Sequence, residues 1–275
     1  MTVTCRESID DYVLGRGIRD SIRLDAQHLL WRLHQGYALH PSIPVTSGLR
    51  IAEVGTGTAM WLLDLATSLP RDVQLHGYDI SSAQFPPPST LPKNIQLSIL
   101  NSFETPPLRL VGYYDVVHVR MWASNLRARD LGDLIQNISA MLKPGGFIQW
   151  EDADLIHQNV RSPAAEAFEK DVNSLFKEAK IDYNWVSGLP QALQQAGFQM
   201  MDQHSHEFCE STMHLCTRTY LMALTEILSG IKRSCATDLL PLVTNCEGAL
   251  SRLMQDSTKD LVYNWRPMAV LAQKL

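Results

Sequence analysis

Glu53, Gly55, Gly57 and Ala59 stand at every second position between an apolar run, residues 49–54, and a helix-like segment, residues 60–69. Glycines at such a turn let the backbone pass close to a ligand with no Cβ in the way. The start of the following helix, near Thr58, presents free N–H groups that favour a carboxylate. Glu53 does the reverse: placed two residues before the first glycine, it would repel a pyrophosphate and attract an ammonium group. A dinucleotide fingerprint counted from Gly55 also needs Gly or Ala where this chain has the bulky Met60. The turn therefore suits the charged end of an amino acid, with Glu53, Gly55, Thr56 and Gly57 around it.

A second group, Gly77-Tyr78-Asp79-Ile80-Ser81, ends the next predicted strand, residues 73–80. An acidic residue there can accept from both hydroxyls of a ribose. Asp79 taken alone reads better as the cap of a turn, but the glycine turn upstream reverses that in favour of the ribose. An amino acid joined to a nucleoside is the chemistry of S-adenosylmethionine (SAM). Methyl transfer from its sulfonium is an in-line displacement, which chiefly needs alignment and the exclusion of water. A general base helps where the accepting atom carries a proton. The candidates are Arg120 at the end of the fourth predicted strand, Glu151 (with Asp152) after the fifth, and His28 in an N-terminal helix. His118, inside a strand, reads as a buried structural histidine. Trp122 and Trp185 lie in predicted loops and are expected beside a flat, apolar substrate. His204 and His206 share a strand face, but no cysteine or carboxylate beside them completes a metal site.

These residues need a scaffold that gathers strand ends. Strands are expected at residues 49–54, 73–80, 95–100, 114–119 and 147–150. Helix-length segments at 60–69 and 131–142 separate some of them, which implies right-handed βαβ units and a parallel sheet. Pro86-Pro87-Pro88 excludes a long second crossover helix. Lys143-Pro144-Gly145-Gly146 reads as a helix stop. Residues 19–35 are predicted helical on Ile22, Leu24, Leu29, Leu30 and Leu33. Further helices are expected at 164–179, 189–196, 217–231 and 239–254, with strands at 198–204 and 262–272, the last bent at 264–267. The expected organisation is an N-terminal helical lid over residues 1–48. A SAM-binding domain follows over 49–275, with cap helices at about 205–258.

The chain has 275 residues, 45% apolar and 19% charged, with a net charge of −5. That is globular composition, with no basic run to serve nucleic acid or an anionic membrane. The five cysteines are odd in number and form no C-x-x-C pair, so neither a disulfide framework nor a zinc site is expected. Residues 1–11 carry Arg6, Glu7, Asp10 and Asp11, and no run approaches a membrane span. A soluble, cytoplasmic protein is expected, with no metal, no nucleic-acid partner and no membrane; a homodimer is left open.

The residues 53–59, Asp79, the run Tyr114–Arg120 and residues 142–150 together resemble the class I SAM-dependent methyltransferases. The likeness is closest to the UMTA-like methyltransferases of fungal secondary metabolism. It extends to Tyr12-Val13-Leu14-Gly15-Arg16, Arg23-Leu24-Asp25-Ala26-Gln27-His28, His40-Pro41-Ser42-Ile43-Pro44 and Gln149-Trp150-Glu151. It covers residues 12 to about 152 well and the rest loosely. It implies an α/β, Rossmann-like, seven-stranded sheet, parallel except for the last strand. It also implies SAM as cofactor, with Glu53 at the methionine ammonium and Asp79 and Ile80 at the ribose. Asn101, Ser102 and Phe103 would flank the adenine, and Val119, Arg120 and Met121 would lie at the sulfur and the substrate mouth. Tyr12, Arg16, Gln27 and His28 would belong to the lid. Ala59 stands where the family usually has a third glycine, and Asn101 where it often has an acid. The Asn101 amide oxygen can still accept from the adenine amino group. The implied activity is O- or N-methylation of an apolar secondary metabolite. The alternative is a SAM-binding, methyltransferase-like enzyme that catalyses a pericyclic or dehydrative rearrangement, because fold does not fix reaction.

Overall fold

The computed structural model describes residues 14–126, 128–179, 181–234, 237–255 and 260–275. Seven strands form one sheet: β1 Arg50–Val54, β2 Gln74–Asp79, β3 Ile95–Ile99, β4 Tyr114–Arg120, β5 Leu142–Arg161, β6 Phe198–His204 and β7 Val262–Lys274. Their order is β3-β2-β1-β4-β5-β7-β6. The β1–β2, β2–β3, β1–β4 and β4–β5 pairs are parallel, and β7 runs antiparallel to both β5 and β6. The chain leaves β1 to one side for β2 and returns on the other with β4. Such a reversal opens a crevice at the carboxyl ends of the strands, where open α/β sheets bind ligands.

Alternation along the strands splits the core into two layers. Ile51, Leu75, Val116 and Leu271 face one side, with Leu62 and Leu65 of α2 (Met60–Ser68) packed on them. Ala52, Val54, Val117 and Val119 face the other, against Leu134, Ile135 and Ile138 of α3 (Leu131–Met141). Successive side chains of a strand point to opposite faces, so both faces of this parallel sheet read as continuous apolar runs.

Two expectations need correction. The fifth strand was expected to end at Trp150, but β5 continues to Arg161. Its second half pairs with β7, from Ala153 against Pro267 to Arg161 against Val262, with a bulge between Asp154 and Asn159. Pairing with a strand more than a hundred residues away leaves no local mark in the sequence. The bulge lies opposite the stretch where a bend in β7 was expected.

The first helix, α1 (Ile18–Gln35), was read on its leucines and isoleucines. Instead it buries Arg23, Gln27, Leu30 and Trp31, while Ile22, Leu29 and Leu33 are more than half exposed. Its buried side meets α6 (Glu210–Ser234), which lies between β6 and β7 with α7 (Leu240–Gln255). Arg23 forms a two-pronged pair with Glu226 of α6, at 2.5 Å from Nε and 2.7 Å from Nη2, and its Nη1 donates to Gln27 at 2.8 Å. Such a fork-to-carboxylate pair fixes the relative position of the two helices. Two further helices, α4 (Pro163–Glu178) and α5 (Leu189–Gln195), complete the fold. No helix among the described residues is long and apolar enough to cross a membrane.

Candidate active site

The strand register lays out the polar residues in rows. Glu53 of β1 lies beside His118 of β4, which lies beside Gln149 of β5. One step nearer the carboxyl ends, Arg120 lies beside Glu151. Glu53, His118, Gln149 and Glu151 are all buried. Thr56 Oγ1 donates to Glu53 at 2.6 Å, and His118 stands 3.4 Å from both Glu53 and Glu151. The His118 ring stacks flat on Trp61 at 3.7 Å. Arg120 Nε donates to Glu151 at 2.6 Å, and Gln149 Nε2 donates to its other oxygen at 2.7 Å. Burial pushes the Glu151 carboxyl up, but Arg120, His118 and Gln149 outweigh it and bring it down to about 2.

The row continues into α1. Arg120 Nη1 meets His28 Nδ1 at 3.1 Å, and His28 Nε2 meets Asp64 of α2 at 3.1 Å. Burial, with the Arg120 charge next, pulls His28 down to about 4. The ring is therefore neutral at pH 7, accepting from Arg120 at Nδ1 and donating from Nε2 to Asp64. Arg32 pairs with the same Asp64 oxygen.

Gly55 and Gly57 both adopt positive φ, at 76° and 50°, and so does Ala59, at 58°. The third position of the turn thus takes the backbone that favours glycine although it carries a methyl group. Asp79 closes the turn: Gly57 N–H donates to one of its oxygens at 2.9 Å and Ser81 N–H to the other at 3.1 Å. Burial raises the Asp79 pKa, and those amides and Arg16 offset part of the rise. Beyond β4 the chain turns sharply at Met121, again at positive φ. Asp152 fixes this turn by accepting from the backbone N–H groups of Trp122 and Ala123. The Trp122 indole then lies over Gly55, with Nε1 donating to Val54 O at 3.2 Å.

A Cβ built on Gly55 would come within 2.7 Å of Trp122 Nε1, whereas one on Gly36, also at positive φ, would touch nothing within 4 Å. Gly36→Ala should therefore cost only the backbone term, roughly 1–2 kcal/mol. Gly55→Ala should cost about 1 kcal/mol or more beyond that, because the indole must leave its bond. Urea denaturation of both variants checks this, and equal losses would contradict the packing described.

A cavity of about 460 Å³ joins these elements. Gly55, Gly57, Asp79, Ile80, Asn101, Ser102 and Phe103 line one end. Ala153, Leu155, Trp265 and, at helical spacing on α6, Tyr220, Ala223 and Ile227 line the other. Arg120, Met121, Trp122, Gln27 and Leu24 lie along the same wall. A side cavity of about 60 Å³ touches Gln27, His28, Glu53, Thr56, Thr58 and Arg120. Gln27, Leu24, Gly55, Gly57, Arg120 and Met121 border both.

Most of the residues singled out from the sequence therefore meet at one place, but several need correction. Val119 is fully buried in the core and borders neither cavity, since its side chain points into the sheet layer below. Glu151 and Asp152 are not at a strand end; they sit inside β5, fully buried, on opposite faces. Glu151 borders neither cavity, so it holds Arg120 rather than facing a ligand. Trp185 is buried edge-on against Trp150, not in a substrate loop. The Asn101 oxygen accepts from Phe103 N–H, and its amide group donates to Glu104. Tyr12 lies outside the described residues. Arg23, Leu24 and Asp64 were missed; the i, i+4 spacing of Arg23 and Gln27 within a helix was the available signal.

The residues present fit SAM. Glu53 is buried beside the glycine turn with one oxygen committed to Thr56, and Asp79 opens onto a cavity large enough for a cofactor and a small partner.

The chain matches the methyltransferase domain family over residues 52–148. It is 34% identical over 175 residues to methyltransferase grgD of a Penicillium species, covering 61% of this chain and 60% of that protein. It is 34% identical over 152 residues to N-methyltransferase tcpN of Claviceps purpurea, covering 54% of each. The chain spans less than two thirds of the length of either relative. Among solved structures, the [4+2]-cyclase SpnF shares the fold with a TM-score of 0.50 at 16% identity, over 93% of this chain and 81% of that one. The chain thus carries a methyltransferase domain over residues 52–148, and its fold and these relatives make it similar to the class I SAM-dependent methyltransferases of the type found in fungal secondary metabolism.

Proposed function

We propose that this protein transfers the methyl group of SAM to an oxygen or nitrogen atom of an apolar small molecule of secondary metabolism. The observation that carries the reading is the continuous cavity that joins the glycine turn and Asp79 to the apolar wall of Ala223, Ile227 and Trp265. Glu53 would hold the methionine ammonium, with Gly55, Thr56 and Gly57 around the amino-acid end. Asp79 and Ile80 would hold the ribose, and Asn101, Ser102 and Phe103 the adenine. SAM supplies the electrophilic methyl group. Met121 and Trp122 would close the cavity against water, and α1 and α6, tied by Arg23 and Glu226, would act as lid and cap. The names of the relatives, a methyltransferase and an N-methyltransferase, support this reading over a non-methylating one.

Calorimetry with S-adenosylhomocysteine tests the cofactor half. Asp79→Ala should weaken binding by about 10- to 100-fold, the loss of two charge-assisted hydrogen bonds. Unchanged affinity would refute the placement of the ribose. Transfer of a labelled methyl group into an extract of fungal metabolites tests the other half. Binding without any release of S-adenosylhomocysteine on turnover would favour the rearrangement chemistry.

A further inference from the structure

We infer that the accepting atom of the substrate belongs to an acidic O–H or N–H group, bound as its anion against Arg120, and not to an amine. The inference rests on the methyl-transfer reading above and adds the class of nucleophile to it.

Arg120 borders both the large cavity and the side cavity beside Glu53, so it stands where cofactor and substrate would meet. Its side chain is only 10% exposed. A guanidinium carries five N–H donors. Here Nε is spent on Glu151 and one Nη1 donor on His28. Nη2 is buried against the same Glu151 oxygen, 2.5 Å away. The second Nη1 donor is left for a further acceptor, and the position of the fork is fixed from two sides.

Among the described residues, no carboxylate or histidine bordering the two cavities is placed as a matching proton acceptor. Glu53 is engaged by Thr56 and faces His118, and Glu151 is enclosed by Arg120, His118 and Gln149. His28 spends its acceptor nitrogen on Arg120 and its other nitrogen on Asp64. Among the described residues lining the large cavity, the carboxylates are Asp79 and Asp130. Asp79 is held by two backbone amides at the cofactor end, and Asp130 pairs with Arg129 at 3.4 Å. An ammonium substrate would bring a positive charge beside a fixed cation, and the amine left after it lost its proton would carry no charge for Arg120 to hold. An anion meets a ready donor in Arg120, and SAM, when bound, would supply a positive sulfonium to attract it.

The step balances. The acidic group gives its proton to water on binding. The resulting lone pair attacks the methyl carbon, and the carbon–sulfur bond breaks with its electron pair staying on sulfur. The negative charge of the substrate and the positive charge of the sulfonium are both lost, so the methylated product loses its hold on Arg120 and can leave.

The test uses 4-nitrophenol, whose anion absorbs visibly, with the protein saturated in S-adenosylhomocysteine. The ionisation midpoint of the bound probe should fall by about one pH unit or more, a tenfold preference for the anion. Arg120→Lys should keep most of that shift. The pair Arg120→Met with Glu151→Gln, which removes both charges together so that neither is left buried alone, should abolish it while circular dichroism shows an intact fold. An unshifted midpoint in the native protein, an equal shift in the double variant, or binding of 4-nitroaniline in preference to the phenolate would each overturn the inference. Binding of S-adenosylhomocysteine alone separates the two levels: if it fails, the methyl-transfer reading falls too, and if it holds with an unshifted probe, only the anion is wrong.

Discussion

Replacing Arg120 by Met should lower the free energy of unfolding by about 3–5 kcal/mol, because it leaves Glu151 charged and buried with no cation. Glu151 is 1% exposed, and Arg120 is the positive group that touches it most closely. Desolvation of an ion costs several kcal/mol, and the pair exists only because each charge offsets the cost of the other. Adding Glu151→Gln to Arg120→Met should therefore recover most of the loss, since removing both charges of a buried pair is often close to neutral. The pH dependence gives an independent check. Folding brings the Glu151 pKa from 4.5 to about 2, so the native carboxyl binds protons less readily than the unfolded one. Its contribution is complete above about pH 4.5 and disappears as the pH falls toward 2, an effect on the order of 3 kcal/mol. The double variant should lack that acid-side slope. Urea midpoints that are the same for the single and double variants would mean that the pair does not behave as a unit.

What could be read in the sequence, and what could not, divides along the same line as these contacts. The glycine turn was legible because its requirements are local: two glycines at positive φ, a carboxylate two residues before them, and an acid at the end of the next strand. The sheet was legible because a doubly covered parallel strand is a short apolar run wherever it occurs. The network around Arg120 was not. Glu53, His118 and Glu151 are brought side by side by the register of three strands, and His28 and Asp64 join from two helices. None of these separations has a period that marks it. The first helix shows the cost of reading apolarity alone. Its exposed isoleucines and leucines resemble a core stripe, while the face that packs carries Arg23 and Gln27, made tolerable inside by Glu226 across the gap. The second half of β5 was invisible for a similar reason, since only its pairing with β7 makes it a strand.

Asp152→Asn should cost about 2–5 kcal/mol, the price of two buried N–H donors left facing an amide group that cannot accept from them. Four donors converge on this carboxylate: the backbone N–H groups of Trp122 and Ala153, that of Ala123, and the indole of Trp150, at 2.9 to 3.0 Å. An asparagine keeps one accepting oxygen and turns an NH₂ toward the other two. The loss should be felt at the site, because the same bonds hold Met121 in its left-handed turn and Trp122 over Gly55. A residue at positive φ persists only where its surroundings over-determine it, and Asp152 supplies that constraint. S-adenosylhomocysteine should therefore bind more weakly to the variant even though Asp152 borders neither cavity. The pH dependence runs opposite to that of the neighbouring Glu151. Burial raises Asp152 from 3.8 to about 6, and its four N–H partners offset part of that rise. The native carboxyl thus takes a proton before the unfolded one does, so its unfavourable contribution is complete above about pH 6 and vanishes as the pH falls toward 4. Two residues adjacent in the chain then tilt the stability curve in opposite directions, one between pH 6 and 4 and the other below 4.5. They differ because alternation sends Glu151 to a guanidinium and Asp152 to uncharged amides. If Asp152→Asn unfolds at the native urea midpoint, or keeps the native slope between pH 6 and 4, the four-donor account of this carboxylate is wrong.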